Sequence, residues 1–469
     1  MVGLWVLALA PSSSAAQQAQ APQPPQQAQP TQAPPPPQQA QPTQAPPSPQ
    51  QAQPAEQPQQ PQAEAPWPSM TLEEAISRAS KISPQVVQAQ GSIRTAAAAE
   101  RTAFGAYLPS LSVSASSTVS SAERVNPDTG TISRSNYNAG LSASWDVFTG
   151  FRRKNVRQQA EAASESAQAQ LVGQRFSVEF SVERAFFDAL RAEELMIVTK
   201  ARIDRAKEGV GFAERRLTVG SATRSDVLRA QLELTTSQES MLQLENQRLV
   251  AGLSLGRLVG VDGPVAATRS GPLEPVPLKS SHAEVVNTLV AEAPSIKAAQ
   301  AAVTSAEAGI GTARSRYYPS VSVSAGTSWG NEELALSHGD LSWSVRLGLS
   351  YPIFDGFARD EGLVRAQTQA EIAQAQLLDT QRSVRSEAER VLSQLELTEE
   401  RITLNQQAVT VAEEDLRVQQ ERYRLGATTI LDLLTSQTAL VQAQNTLVGL
   451  RFDYLLSRAE LQSIIGREL

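Results

Sequence analysis

RLTVGSATRSDVL at residues 216–228 returns as RYRLGATTILDLL at 422–434. The two stretches share Arg216/Arg422, Gly220/Gly426, Thr223/Thr429, Asp226/Asp432 and Leu228/Leu434. The repetition reaches far beyond them. SPQVVQAQ (83–90) answers APSIKAAQ (293–300), YLPSLSVSAS (107–116) answers YYPSVSVSAG (317–326), WDVFTGF (145–151) answers YPIFDGF (351–357), and RLVG (257–260) answers SIIG (463–466). All keep one order, at offsets of 206 to 210 residues. A chain written this way folds as two copies of one unit. The copies are assigned to 69–260 and 281–469, joined by a Pro/Gly-rich loop at 261–280.

Each copy follows one plan. A helix interrupted by Pro84 or Pro294 runs to about 105 or 315 and stops at Tyr-x-Pro. A β-hairpin follows, with strands at about 109–149 and 319–354. In 111–119, Leu111, Val113, Ala115 and Val119 alternate with serine and threonine. In 341–353, Leu341, Trp343, Val345, Leu347, Leu349, Tyr351 and Ile353 alternate with small or polar residues. Period two makes one face apolar and the other small and polar. A soluble sheet covering a core fits this alternation, and so does a membrane barrel with lipid outside and water inside. The flanks favour the barrel. Tyr107, Phe148, Phe151, Tyr317, Tyr318, Tyr351, Phe354 and Phe357 cluster where strands meet helices, as an interfacial aromatic belt does. Arg152, Arg153 and Lys154 follow at headgroup level. Four strands cannot close a barrel, since roughly eight are the minimum, so a barrel requires an oligomer.

After each hairpin, no proline interrupts the stretch from Phe151 to Gly220 or from Phe357 to Gly426. A helix of that length approaches ~100 Å. The return helix repeats apolar residues every seven positions, at Leu433, Leu440, Leu447, Tyr454 and Leu461, with Leu434, Val441, Val448 and Leu455 beside them. Two adjacent seams predict a helix with neighbours on both sides, as in a wall. At the turns, Gly220 and Gly426 supply a left-handed residue, and Thr223-x-x-Asp226 and Thr429-x-x-Asp432 read as capping boxes.

Composition removes several classes of function. The chain has 469 residues, a net charge of −7 and few aromatics, which argues against nucleic acid. It has no cysteine, hence no disulfide, thiolate metal site or lipidated Cys. His282 and His338 are read as surface residues, and no metal or cofactor site is expected. The pairs Glu193-Glu194, Glu399-Glu400 and Glu413-Glu414 read as solvated helix faces, and no catalytic site is found. Residues 1–16 carry a short apolar run followed by Ser14-Ala15-Ala16, a probable signal peptide. Residues 17–68 are a Gln/Pro-rich tether without the apolar side chains that ordering requires.

The order and double occurrence of these motifs resemble the TolC-like outer-membrane efflux proteins: Tyr-x-Pro before the first strand, PIFDGF opening a long helix, and Arg-Tyr-x-x-Gly before Asp432-Leu433-Leu434. The resemblance covers about 70–466 and implies a mainly α fold with membrane β. Its two tandem helix–hairpin–helical-hairpin repeats form a homotrimer with a 12-stranded outer-membrane barrel, continued by an α-helical barrel in the periplasm. It implies a passive exit duct for drugs, small toxic compounds or secreted polypeptides, not an enzyme. The implied partners are a periplasmic adaptor, an inner-membrane RND or ABC transporter and outer-membrane lipid. It places a gate at the tip turns, with Asp226 and Tyr423 linking neighbouring helices and Asp432 ringing the pore. Thr428 stands where relatives carry a basic residue, and Thr435 where they carry a second acidic one. Val219-Gly220-Ser221 and Leu425-Gly426-Ala427 would meet the adaptor. The chain lacks one branch's lipidated cysteine, and the Gln/Pro tether lies outside the family core. The alternative is a periplasmic adaptor or structural coiled-coil protein without a pore.

Overall fold

Proline placement divides this chain into elements. Pro84 and Pro294 each occupy the first turn of a helix, where a missing N–H costs nothing. The computed structural model describes residues 67–125, 132–269, 271, 278, 281–332 and 339–469. The signal peptide, tether residues 17–66 and His338 lie outside the described residues. The first copy comprises β1 (Ser69–Met70), α1 (Leu72–Ile82), α2 (Pro84–Gly105), β2 (Ser110–Val125), β3 (Ile132–Phe148), α3 (Arg152–Thr218) and α4 (Arg224–Val259). After β4 (Ala266–Ala267), the second begins with α5 (His282–Glu284) and short π and 3-10 turns through Glu292. It continues with α6 (Pro294–Arg314), β5 (Ser320–Asn331), β6 (Asp340–Ser350), α7 (Ala358–Arg424) and α8 (Ile430–Ile465). The outgoing helices α3 and α7 have 67 residues each, and the return helices α4 and α8 have 36 each.

The helices stand side by side in the order α4–α3–α8–α7, and α6 packs against both α3 and α7. The seams of α8 account for this order. Leu433 and Leu440 pack with Leu416 and Tyr423 of α7. Higher up, Leu450 and Tyr454 meet Leu395 and Ile402. On the other side Phe452 joins Val182, Phe186 and Leu190 of α3 in the largest core. Arg191 bonds Asp453 across the same α3–α8 contact at 2.6 Å.

The strands form one antiparallel sheet in the order β2-β3-β5-β6. Its register places Val113 opposite Leu141, Val323 opposite Leu347 and Trp329 opposite Leu341. On the other face Ser112 meets Ser142 at 2.7 Å and Ser328 meets Ser342 at 2.8 Å, oxygen to oxygen. Among the described residues no core covers the apolar face: Val113 is 80% exposed, Trp343 78% and Leu347 73%. A soluble sheet would bury those side chains. Among the described residues no helix is long and apolar enough to cross a membrane.

Two differences from the sequence reading concern the joins. Trp67 and Pro68 belong to the folded body rather than to the tether. The Arg248 guanidinium lies 4.4 Å from the Trp67 ring centroid, and the Pro68 carbonyl accepts from Ala266 N–H at 3.0 Å. The inter-repeat segment is also more than a loop, because β4 pairs in parallel with β1. It packs closely on α4, where a Cβ at Gly256 would sit 2.1 Å from the Gly263 carbonyl oxygen.

One buried carboxyl on α3 makes stability depend on pH. Burial raises Glu183 from the ordinary 4.5 to about 7, Glu179 adds to the rise, and Arg458 opposes it. Between those values the folded chain holds a proton that the unfolded chain has released. Stability from this group is therefore full below about 4.5 and declines as pH rises to about 7. Glu183→Gln is expected to exceed wild type at pH 8 by about 1–3 kcal/mol, with the difference vanishing near pH 4, in thermal unfolding of detergent-solubilised protein.

Candidate functional site: the paired helical tips

At the end of each outgoing helix the chain reverses by the same local chemistry. Gly220 and Gly426 adopt φ of +73° and +77°, a conformation that disfavours any side chain. The next residues, Ser221 and Ala427, donate back to the carbonyls of Arg216 and Arg422, each at 2.8 Å. That six-to-one bond satisfies an orphan carbonyl at the helix end. The return helices then start on reciprocal caps. Asp226 N–H donates to Thr223 Oγ1 at 3.2 Å, while Thr223 N–H donates to Asp226 Oδ2 at 2.8 Å. The same exchange joins Thr429 and Asp432, at 3.3 and 3.1 Å.

The second tip adds a bond that the first lacks. Thr428 Oγ1 donates to Asp432 Oδ2 at 2.8 Å, beside the Thr429 hydroxyl at 2.7 Å. These hydroxyls and the Thr429 N–H hold the Asp432 carboxyl below its usual range, so it is ionised at neutral pH. Thr435 turns away, donating to the Leu431 carbonyl one turn back. Val219 and Leu425, at the apices, are 75% and 76% exposed.

Tyr423 is 5% exposed and faces Arg216 rather than a hydrogen-bonding carboxylate. The Arg216 guanidinium lies 4.6 Å from the Tyr423 ring centroid, and its Nη1 donates to the Tyr423 carbonyl at 2.9 Å. Burial raises the Tyr423 phenol; Arg216 opposes the shift, and nearby Asp226 reinforces it. The Asp226 carboxylate bonds its own cap, and the Tyr423 hydroxyl lies beside the Arg216 guanidinium without a well-formed hydrogen bond among the described residues. Arg216 is the tip residue with cross-hairpin contacts that the sequence reading left without a role, although it opens the repeated motif.

At the opposite end of the long helices, aromatic rings gather at the sheet junction. Phe151 stacks edge-on with Phe148 and Tyr318, and Phe354 with Phe357. Tyr107 lies beneath Arg153 and Tyr317 beneath Arg359, while Tyr351 is exposed. Phe151 and Phe357 begin α3 and α7 with φ of 68° and 67°, the positive-φ residues other than glycine among the described residues. Such a conformation costs an L-residue roughly 1–2 kcal/mol. The polar pairs are less uniform than expected, since Glu193 and Glu194 are half-buried and Glu194 bonds Arg269 at 3.3 Å.

Two stability outcomes follow from the tip geometry. Tyr423→Phe removes a buried hydroxyl that makes no well-formed hydrogen bond and is expected to raise the melting temperature rather than lower it. Thr429→Ala removes a capping oxygen and is expected to lower stability by about 0.5–2 kcal/mol. Differential scanning calorimetry of both variants checks the opposite signs.

Comparison with known proteins agrees with this architecture. The outer membrane efflux protein family model matches residues 75–261 and again 285–467. The pyoverdine export outer membrane protein OpmQ of Pseudomonas aeruginosa is 27% identical over 339 residues, covering 70% of each chain. The toluene efflux pump outer membrane protein TtgI of Pseudomonas putida is 22% identical over 342 residues, covering 71% of each. Among solved structures, VceC of Vibrio cholerae superposes with a TM-score of 0.72 at 22% identity, covering 85% of this chain and 96% of that one. CusC superposes with a TM-score of 0.75 at 18% identity, covering 86% and 93%. The chain belongs to the outer membrane efflux protein family and is a channel protein of the outer membrane, with its helical barrel in the periplasm.

Proposed function

We propose that three copies of this chain close into one exit duct, with a gate at the helical tips and no catalysis of its own. The observation that carries this reading is that the subunit is unfinished at both edges. β2 and β6 each have a free edge, which hydrocarbon does not tolerate. The outermost helices carry matching unused seams. On α7, Leu397, Leu404, Val411 and Val418 recur every seven residues, and all are exposed. On α4, Leu228, Leu242 and Leu249 fall on one heptad position, with Thr235 between the first two, and these leucines are exposed. Docking the α4/β2 side of one copy against the α7/β6 side of the next satisfies backbone and side chains together, and repetition closes a ring. Three copies make a 12-stranded barrel, large enough for a water-filled lumen lined by the Ser/Gly face.

The six tips of such a trimer converge at the periplasmic mouth. Asp432 supplies three ionised carboxylates there, Asp226 and Tyr423 lie on neighbouring helices of the gate, and Thr428 and Thr435 reduce its ion pairing. The exposed turns Val219-Gly220-Ser221 and Leu425-Gly426-Ala427 meet a periplasmic adaptor. An inner-membrane RND or ABC transporter supplies the energy. The cargo is drugs, small toxic compounds or secreted polypeptides, and relatives named for pyoverdine export and toluene efflux support the small-molecule part of that range. A signal peptide at 1–16 directs export. The aromatic rings at the sheet junction anchor the barrel in outer-membrane lipid.

Planar-bilayer recording tests the duct and its mouth. Wild type is expected to conduct with cation preference, and Asp432→Ala to shift the reversal potential in a KCl gradient toward zero. Unchanged selectivity would remove Asp432 from the constriction.

A further inference from the structure

We infer that Arg216 is a clasp joining the two helical hairpins of one subunit, so that the second tip cannot swing free while Arg216 keeps its contacts. The inference rests on reading the tips as the gate. Because the chain is duplicated, it contains its own control. Arg216 and Arg422 occupy the same place in the last turn of equivalent helices. Both perform the local task of bonding their own turn: Arg216 Nη2 donates to the Ser221 carbonyl at 3.0 Å, and Arg422 Nη2 to the Ala427 carbonyl at 3.4 Å. The helical turn needs nothing more from an arginine at this position.

Arg216 does more. Its Nη1 donates to the Tyr423 carbonyl at 2.9 Å, and the guanidinium plane covers the Tyr423 ring. It also runs along the second turn, where a Cβ added at Gly426 would lie 3.6 Å from Nη2. One side chain thus touches both reversals, and Arg216 and Tyr423 are 207 residues apart in sequence. Five donors in a rigid fork allow this double use, which a lysine's point charge does not reproduce. Tyr423 is buried from two sides: its ring packs with Leu416, Leu433 and Leu440, and it is also a platform for the guanidinium. The clasp lies within one subunit, so it restrains how far the second hairpin moves against the first. The Thr428 position, which holds no base, leaves Arg216 as the cation bridging these two turns among the described residues.

The test is residual conductance of the full-length channel in planar bilayers at low voltage. Arg216→Gln and Tyr423→Leu are each expected to raise it by roughly three- to tenfold, the range for losing a cation–π contact and a charged hydrogen bond. The double variant should not exceed the stronger single variant, because both remove one interaction. Arg422→Gln, which removes contacts within the second tip but none between the hairpins, should stay within about twofold of wild type. Wild-type conductance in Arg216→Gln, in a channel whose selectivity responds to Asp432→Ala, overturns the clasp and leaves the gate standing. If Asp432→Ala is also silent, the tips are not the constriction, and both readings fall. Should Arg216→Gln fail to assemble, Arg216→Lys in detergent provides the second measurement. Faster amide hydrogen exchange at 422–430 as well as at 216–226 supports the clasp, and unchanged exchange at 422–430 overturns it.

Discussion

A strand edge in hydrocarbon leaves a row of amide and carbonyl groups without partners, each costing several kcal/mol. This subunit has two such edges, on β2 and β6, and an apolar sheet face with no core beneath it. Burying that face in lipid and closing those edges against further copies of the chain resolves both costs at once. The rest of the architecture follows from this requirement. The two 67-residue helices continue the wall below the sheet, and the heptad seams on α4 and α7 repeat along it the closure that the strands need.

The duplication makes a ring economical to build, since each subunit already holds two nearly equivalent sectors. It also makes departures from equivalence informative. The caps, the positive-φ glycines and the six-to-one bonds are the same in both tips, as local helix chemistry demands. Three of the differences lie at or across the second tip. Thr428 bonds Asp432 only in the second tip, Tyr423 stands where the first copy has Leu217, and Arg216 reaches across while Arg422 does not. Function in a gate is expected to sit in these differences, because the common part is explained by folding alone. The membrane end shows the opposite pattern. Both copies place a phenylalanine at positive φ at the head of the long helix, so the strain is common to the two and belongs to the junction itself.

Much of this fold was legible because its determinants are local. Period two in the hairpins, period seven in α8 and Thr-x-x-Asp at the caps each act over a few residues and appear in the structure, although β6 ends at Ser350 where the alternation ran on to Ile353, and Pro84 and Pro294 open helices rather than interrupt one. What was not legible depends on distant partners. The Arg216–Tyr423 contact joins the two repeats, and no spacing rule connects them. The docking of Trp67 under Arg248 extends the folded body past the compositional boundary of the tether, since one aromatic ring supplies enough apolar surface to anchor it. The half-burial of Glu193 and Glu194 and the raised pKa of Glu183 depend on which helix faces meet. The positive φ at Phe151 and Phe357 runs against the residue's own preference, so propensity alone points away from it.

The central claim is that the chain completes itself only in threes. Native mass spectrometry of the protein released from detergent micelles tests it most directly. The account predicts a single dominant species of three chains that survives mild activation. A dominant monomer or dimer under the same conditions would contradict it, because one or two copies leave either the sheet edges or the helical seams without a workable closure around an open lumen.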